Sequence, residues 1–267
     1  MSSSYLDKSG REARAHTLRA VNSLKHVLRQ VGGSPRNQYQ KQKSERLQFY
    51  RQNPKQAVYY RRWQQTLNNP LASFELELPW ITYSAIDWLK RRVNKRSRVF
   101  EWGSGGSTLF LISRVDQITS VEHDPNWFKL VRSALTKKHA SNCDYRLVVA
   151  QASSKSMPNW KAIPEAYLSV DPSYKNMNFF DYCSQIDEYQ EQSFDLVIID
   201  GRARGSCVYH AINKLKKGGW LLLDNSDREE YASAIKLLDG WQRKDFYGPT
   251  PGHPNFALTS VFKRPKD

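Results

Sequence analysis

The sequence predicts a doubly wound α/β fold: a mostly parallel seven-stranded sheet ending in an antiparallel strand pair, with a basic helical extension at the N-terminus. Three observations predict it. From about residue 79, short apolar runs alternate with amphipathic stretches, the pattern of parallel strands joined by crossover helices. A glycine-rich turn leaves the first apolar run and opens a helix. Charge is segregated: residues 1–70 hold 14 Lys+Arg against 3 Asp+Glu, whereas residues 71–267 hold 27 against 23.

A chain of 267 residues accommodates one α/β domain with an extension. The expected division is 1–70 and 71–267. A hydrophobic content of 39%, with 8 Trp, 14 Tyr and 11 Phe, excludes a disordered protein. No stretch is long and apolar enough to span a membrane, and the N-terminus lacks the apolar core of a secretory signal. Cys143, Cys183 and Cys207 are far apart with no CxxC spacing, so neither a zinc site nor a disulfide framework is expected. A cytoplasmic setting follows as the expectation. The basic extension suits an anionic partner, such as RNA, an acidic polymer or an anionic membrane surface, or serves as a solvated helical face.

The elements follow in order. Leu18, Val21, Leu24, Leu28 and Val31 recur at helical spacing, and Gly32–Pro35 stops that helix. Residues 37–69 read as partly helical, broken at Pro54. Their Tyr59, Tyr60 and Trp63 are expected to pack rather than to stack on a base. Thr82–Val93 reads as a helix. Arg98–Trp102 is the first strand, Ser107–Arg114 a helix, Gln117–His123 the second strand, and Asp124-Pro125-Asn126 the start of another helix. Tyr145–Ala150 is the third strand. Residues 151–193 form a long aromatic-rich insertion, placed where a substrate lid would be. Phe194–Asp200 is the fourth strand, Gly205–Lys216 a helix, Trp220–Asn225 the fifth strand and Asp227–Leu238 a helix. Trp241–Tyr247 and Phe256–Phe262 close the domain as a hairpin-like pair.

The first site candidate is Glu101-Trp102-Gly103-Ser104-Gly105-Gly106-Ser107-Thr108. Glycines let the backbone take positive φ and approach a ligand, and the helix N-terminus offers free N–H groups to an anionic group. Glu122 ends the next strand, where a carboxylate can accept from both hydroxyls of a ribose. A dinucleotide site would want a third glycine, which falls at Thr108, and Glu101 is a poor neighbour for a pyrophosphate. An NAD enzyme is therefore disfavoured.

The E-x-G-x-G turn, the strand-end acid and the terminal strand pair resemble the class I S-adenosylmethionine (SAM)-dependent methyltransferases, which are Rossmann-like, over residues 80–264. The resemblance implies that Gly103, Ser104 and Gly105 wrap the methionine part of SAM, with Gly106, Ser107 and Thr108 continuing the cradle. Glu101 would organise the ammonium end and Glu122 the ribose, while His123, Asp124 and Trp127 would lie near the adenine. Asp200, at the end of the fourth strand, would face both cofactor and acceptor.

Asp200, Asp224 and Asn225 further resemble the metal-dependent, catechol-type O-methyltransferases, which implies an Mg²⁺ held by these three oxygen ligands. One departure stands out: Gly201 and Arg202 follow Asp200, and no lysine base is present. Arg202 and Arg204 suit an anionic substrate or the SAM carboxylate. Asp200, Arg202, Asp224 and Asn225 are thus the catalytic candidates. His210, inside a helix, reads as structural, and His253 as a loop histidine. The leading expectation is O-methylation of a small molecule or glycan. An RNA methyltransferase gripping through the arm, and a non-catalytic binding module, are the rivals.

Overall fold

The computed structural model describes residues 35–67, 69–153 and 157–267. The helix expected over Leu18–Val31 lies outside them. The chain divides into two compact units, residues 1–61 and 62–267.

In the first unit, α1 (Pro35–Gln52) is closed by Asn53 Nδ2 donating to Phe49 O at 3.0 Å. Pro54 then begins a 3₁₀ turn, Pro54–Tyr59. The expected break falls there because proline has no N–H to continue the ladder. Tyr50 meets Phe49 and Tyr60 edge-on, with centroids 5.3 and 5.5 Å apart.

The second unit begins within α2 (Tyr60–Thr66), followed by α3 (Ala72–Glu75) and α4 (Tyr83–Arg92). Trp63 is fully buried, and its indole N–H donates to His253 O at 2.8 Å. Then come β1 (Arg98–Trp102), α5 (Gly106–Ile112), β2 (Gln117–Glu122), α6 (Pro125–Lys137) and β3 (Cys143–Leu147). The insertion contributes a two-residue ladder, β4 (Gln151–Ala152) with β5 (Met177–Asn178), and one helical turn, α7 (Phe180–Cys183). The chain continues through β6 (Phe194–Ile199), α8 (Arg204–Ala211), β7 (Leu215–Asp224), α9 (Ala232–Lys236), β8 (Gln242–Gly248) and β9 (Ala257–Lys263).

The large sheet has the order β3-β2-β1-β6-β7-β9-β8. Its first five strands are parallel, while β9 runs antiparallel between β7 and β8. The sheet therefore matches the expected architecture. Burial explains why: β6 (Phe-Asp-Leu-Val-Ile-Ile) is apolar nearly throughout, as a strand covered on both faces must be. A core of Phe100, Trp102, Phe179, Tyr182, Val197, Ile199, Leu221 and Leu223 packs between the sheet, α7 and α8.

Four elements differ from expectation. β3 begins two residues and ends three residues earlier than predicted, because its register with β2 runs from Ile118↔Cys143 to Glu122↔Leu147. The helix after β6 ends at Ala211 in a 3₁₀ turn, and β7 takes over the residues from Leu215. The helix before β8 begins only at Ala232, after a 3₁₀ turn at Glu229–Tyr231. All three cysteines are free thiols. No helix among the described residues is long and apolar enough to cross a membrane.

Candidate active site

Strand order reverses between β1 and β6, and ligands of open α/β sheets sit beyond the carboxyl ends of the strands at such a point. Here the two strand-end turns touch. A Cβ on Gly103 (φ +91°) would stand 2.6 Å from Gly201 N, and a Cβ on Gly201 would collide with the Tyr182 hydroxyl. Gly106 is closed against the carbonyls of Ser73 and Leu78. Protein backbone thus explains Gly103 and Gly106, and the Tyr182 hydroxyl explains Gly201, while a Cβ on Gly105 would stand 3.4 Å from the Trp127 ring.

Glu101, the penultimate residue of β1, is fully buried. Its Oε2 accepts from the Thr108 and Ser120 hydroxyls, both at 2.6 Å, and among the described residues its Oε1 has no hydrogen-bond partner. Burial pushes the Glu101 carboxyl up, against the hydroxyls of Ser107, Ser120 and Thr108. Thr108, a mismatch for a dinucleotide turn, also takes the Gly105 N–H at 3.0 Å, so it ties the turn to the strand.

Glu122 ends β2 with 2% exposure and is occupied by its own chain. Oε2 accepts from Ser104 N at 3.1 Å and Ser104 Oγ at 2.8 Å. Oε1 accepts from His123 N at 2.7 Å and Asp124 N at 2.9 Å, and His123 Nδ1 lies 2.8 Å away. Burial pushes this carboxyl up, but His123, the Asp124 N–H and Ser104 together hold it below its ordinary value. Around it, Tyr145 OH meets Ser104 Oγ at 2.7 Å and Trp127 Nε1 donates to Ser104 O at 2.8 Å. Asp124 caps α6, accepting from Asn126 N and Trp127 N at 2.8 and 2.9 Å.

The insertion covers the same end of the sheet. His123 meets Tyr174, Phe179 and Tyr182 at 5.2, 5.9 and 5.9 Å. Arg202 lies over the Tyr174 ring and pairs with Asp171 at 2.9 Å. This places residues 171–182 against both strand-end turns.

Arg204 decides the acidic trio. Its NH2 pairs with Asp200 at 2.9 Å and donates to Asp200 O at 3.0 Å. Its NH1 donates to Asp224 O at 2.5 Å and lies 3.4 Å from Asp224 Oδ2, while Nε donates to Gly201 O at 3.0 Å. This arrangement does not support the expected magnesium site. A buried guanidinium already sits between the two carboxylates, and a dication there would face a fixed positive charge. Asn225 instead sits at φ +53° and accepts from Arg228 at 2.7 Å. Asparagine is a residue the left-handed region favours, so backbone geometry accounts for it. Among the described residues no group of three His, Cys, Asp or Glu can hold a metal ion. Burial pushes Asp200 well above its ordinary value, assisted by Asp224 and Glu101 and opposed by Arg204. Asp224 is raised for the same reason, opposed by Arg204 and Thr259.

Sequence reasoning passed over Ser120 and Tyr145. A serine inside the apolar β2 run was the available signal for Ser120; nothing marked Tyr145. His210 pairs with Asp187 at 2.6 Å, and His253 bonds within its own loop.

No family model matches the chain, and no curated protein matches it. Among solved structures, it is similar to the O-methyltransferase TomG from Streptomyces achromogenes in complex with SAM: 13% identity, 75% of this chain, 89% of that one, TM-score 0.49. A methyltransferase-like protein from Silicibacter pomeroyi shares 20% identity over 69% of this chain and 88% of its own, with a TM-score of 0.45. An rRNA methylase from Streptococcus thermophilus shares 13% over 68% and 95%, also at 0.45. The sheet order is that of an open, Rossmann-like α/β sheet with an antiparallel strand pair at one edge. In such a sheet the crevice at Gly103 and Gly201 is where topology puts a ligand.

Proposed function

We propose that this chain is a SAM-dependent methyltransferase acting on a hydroxyl of a small molecule or glycan, in the cytoplasm. One observation carries the reading: a glycine turn and two buried strand-end carboxylates, Glu101 and Glu122, meet at the point where strand order reverses. The fit to SAM is chemical. Glu101 keeps a buried oxygen without a partner, which an ammonium group would satisfy. Glu122 is a lowered, ionised acceptor, suited to a ribose diol that would exchange with Ser104 and His123.

SAM supplies an electrophilic methyl group on a sulfonium sulfur. The residues then have two tasks, holding the acceptor oxygen in line and taking its proton. Asp200 is the base in this reading: its raised pKa makes it a better proton acceptor than an ordinary aspartate, and Arg204 fixes its orientation. A cleft beside the Gly201–Arg204 turn, lined by Trp160, Ile163, Val170, Arg202, Arg228 and Tyr231, is where the acceptor would approach in this reading.

Calorimetry with SAM tests the reading, beside an NADH control and a Glu122→Ala variant. Micromolar binding of SAM, lost in the variant and absent for NADH, is the expected result. Folded protein that takes up no SAM would remove the proposal.

A further inference from the structure

Folding gathers at one end of the sheet cations that the sequence scatters over three segments. Residues 90–98 hold six Lys/Arg and no acid. Lys216 and Lys217 lie near the start of β7. Lys263, Arg264 and Lys266 fall at the end of the chain, and because β9 is antiparallel to β7, Lys263 pairs with Trp220. All three segments therefore meet at the amino ends of the parallel strands, where Arg98 begins β1.

Contacts between the segments fix the arrangement. The Arg92 guanidinium lies over the Trp88 and Trp220 rings at 5.7 and 5.1 Å, and Lys263 Nζ lies 5.6 Å from the same Trp220 ring. The two indoles meet at 4.9 Å. Lys266 packs its stem against Gly218, whose N–H donates to Arg264 O at 3.1 Å. Lys95 and Arg96 project from a turn held shut by Asn94 N to Ser97 Oγ at 3.0 Å and Arg96 N to Asn94 Oδ1 at 2.9 Å.

Few acids answer these charges. Asp195 takes Lys216 at 2.9 Å, and Asp87 lies 3.6 Å from Lys90. Among the described residues Arg91, Lys95, Arg96, Lys217 and Lys266 are exposed and have no carboxylate within ion-pair distance. Like charges held this close repel one another, and an extended polyanion relieves that repulsion. Residues 90–98, 215–220 and 263–267 present no large exposed apolar side chain, so nothing on this face would insert into a bilayer. The rings beneath the cations are already covered by Arg92 and Lys263, which leaves phosphates rather than bases to be gripped.

We propose that this face docks the sugar-phosphate backbone of a nucleic acid, without reading its sequence. The surface lies at the opposite end of β1 from Glu101, roughly 10 Å away at the rise of an extended strand. It stands whether or not the methyl-transfer reading holds.

The test is fluorescence anisotropy of the full chain with a labelled polyuridylate of about 20 nucleotides, across about 50–200 mM salt. Two triple variants are compared with the unaltered chain: Lys95→Glu/Arg96→Glu/Lys217→Glu on this face, and Arg51→Glu/Lys55→Glu/Arg61→Glu in the first unit. All six side chains are exposed, and a thermal melt checks each fold. The face variant is expected to bind at least about tenfold more weakly, with its log–log salt slope shallower by about two. Overturning results are no binding by the unaltered chain, loss confined to the first-unit variant, or tighter binding to phosphatidylserine vesicles than to the polymer.

Discussion

Glu101 and Glu122 are both glutamates, both buried and both at strand ends, yet their surroundings push them in opposite directions. Glu122 collects backbone N–H groups and a histidine; Glu101 collects only hydroxyls and keeps one oxygen unpaired. Asp200 goes further, because burial raises it and the neighbouring Asp224 adds to the rise, while the Arg204 guanidinium that the two share opposes it. Its proton-accepting form is lost as pH falls through a pKa that lies above the ordinary aspartate range. In the proposed reaction kcat/KM should therefore fall on the acid side at a pH above that range, and Asp200→Asn should abolish turnover while SAM binding persists. Pre-steady-state methyl transfer against pH, beside SAM calorimetry, checks both. At Gly201 the expectation is structural. A methyl group there meets the Tyr182 hydroxyl, so Gly201→Ala should destabilise by about 1–3 kcal/mol through overpacking. Adding Tyr182→Phe should recover part of that in urea unfolding; no recovery would show that the backbone of Gly103, not the phenol, sets the limit.

At the level of elements, α6 is positioned by its first residues. Asp124 caps it through two N–H groups, and Trp127, one turn in, reaches back to Ser104 O. Asp124→Ala should cost about 1 kcal/mol, seen as a fall in Tm of about 2–4 °C. SAM affinity should fall with it, because the Trp127 ring that faces Gly105 loses its anchor. The same elements show what could be read in advance. β1 and β6 were legible because a strand buried on both faces must be a continuous apolar run. The bounds of β3 were not, since they depend on where β2 stops at Glu122. The helices after β6 and β7 read too long because their polar flanks continue the helical period while the chain has already turned into 3₁₀ geometry. The insertion yielded only its aromatic content, and its contacts with His123 and Arg202 come from tertiary packing alone. Glu101 and Glu122 were legible from their places after apolar runs; the partners that occupy Glu122 were not, being mostly backbone N–H groups that carry no residue signal. Arg204 appeared as a clamp for ligand, whereas it clamps Asp200 and Asp224, two residues far apart in sequence.

Over the whole molecule, charge sorts by end of the sheet. Glu101 and Asp224 are buried and Asp200 is half-buried at the carboxyl ends, and cations gather at the amino ends. The basic end was illegible because residues 71–267 carry nearly balanced charge when counted along the chain. The buried acids also set a pH response. Each is raised, so its folded form holds a proton that the unfolded chain releases near pH 4. Their contribution to stability is complete below that pH and is lost as pH rises through the raised values. Glu122, lowered, contributes in the reverse sense and is lost on acidification. Glu101→Gln should therefore gain on the unaltered chain as pH rises, which paired melts at successive pH values would register; a constant difference would mean that Glu101 does not titrate in that range.

The contact between Gly103 and Gly201 has a consequence for how this chain can change over generations. The two residues are almost a hundred positions apart, yet each fills the space that the other's side chain would need. No single replacement at either site has a neighbouring neutral variant to pass through. Drift at the Gly103 turn is thus locked to drift at the Gly201 turn, and any programme of directed change must vary both positions, with Tyr182, in the same library.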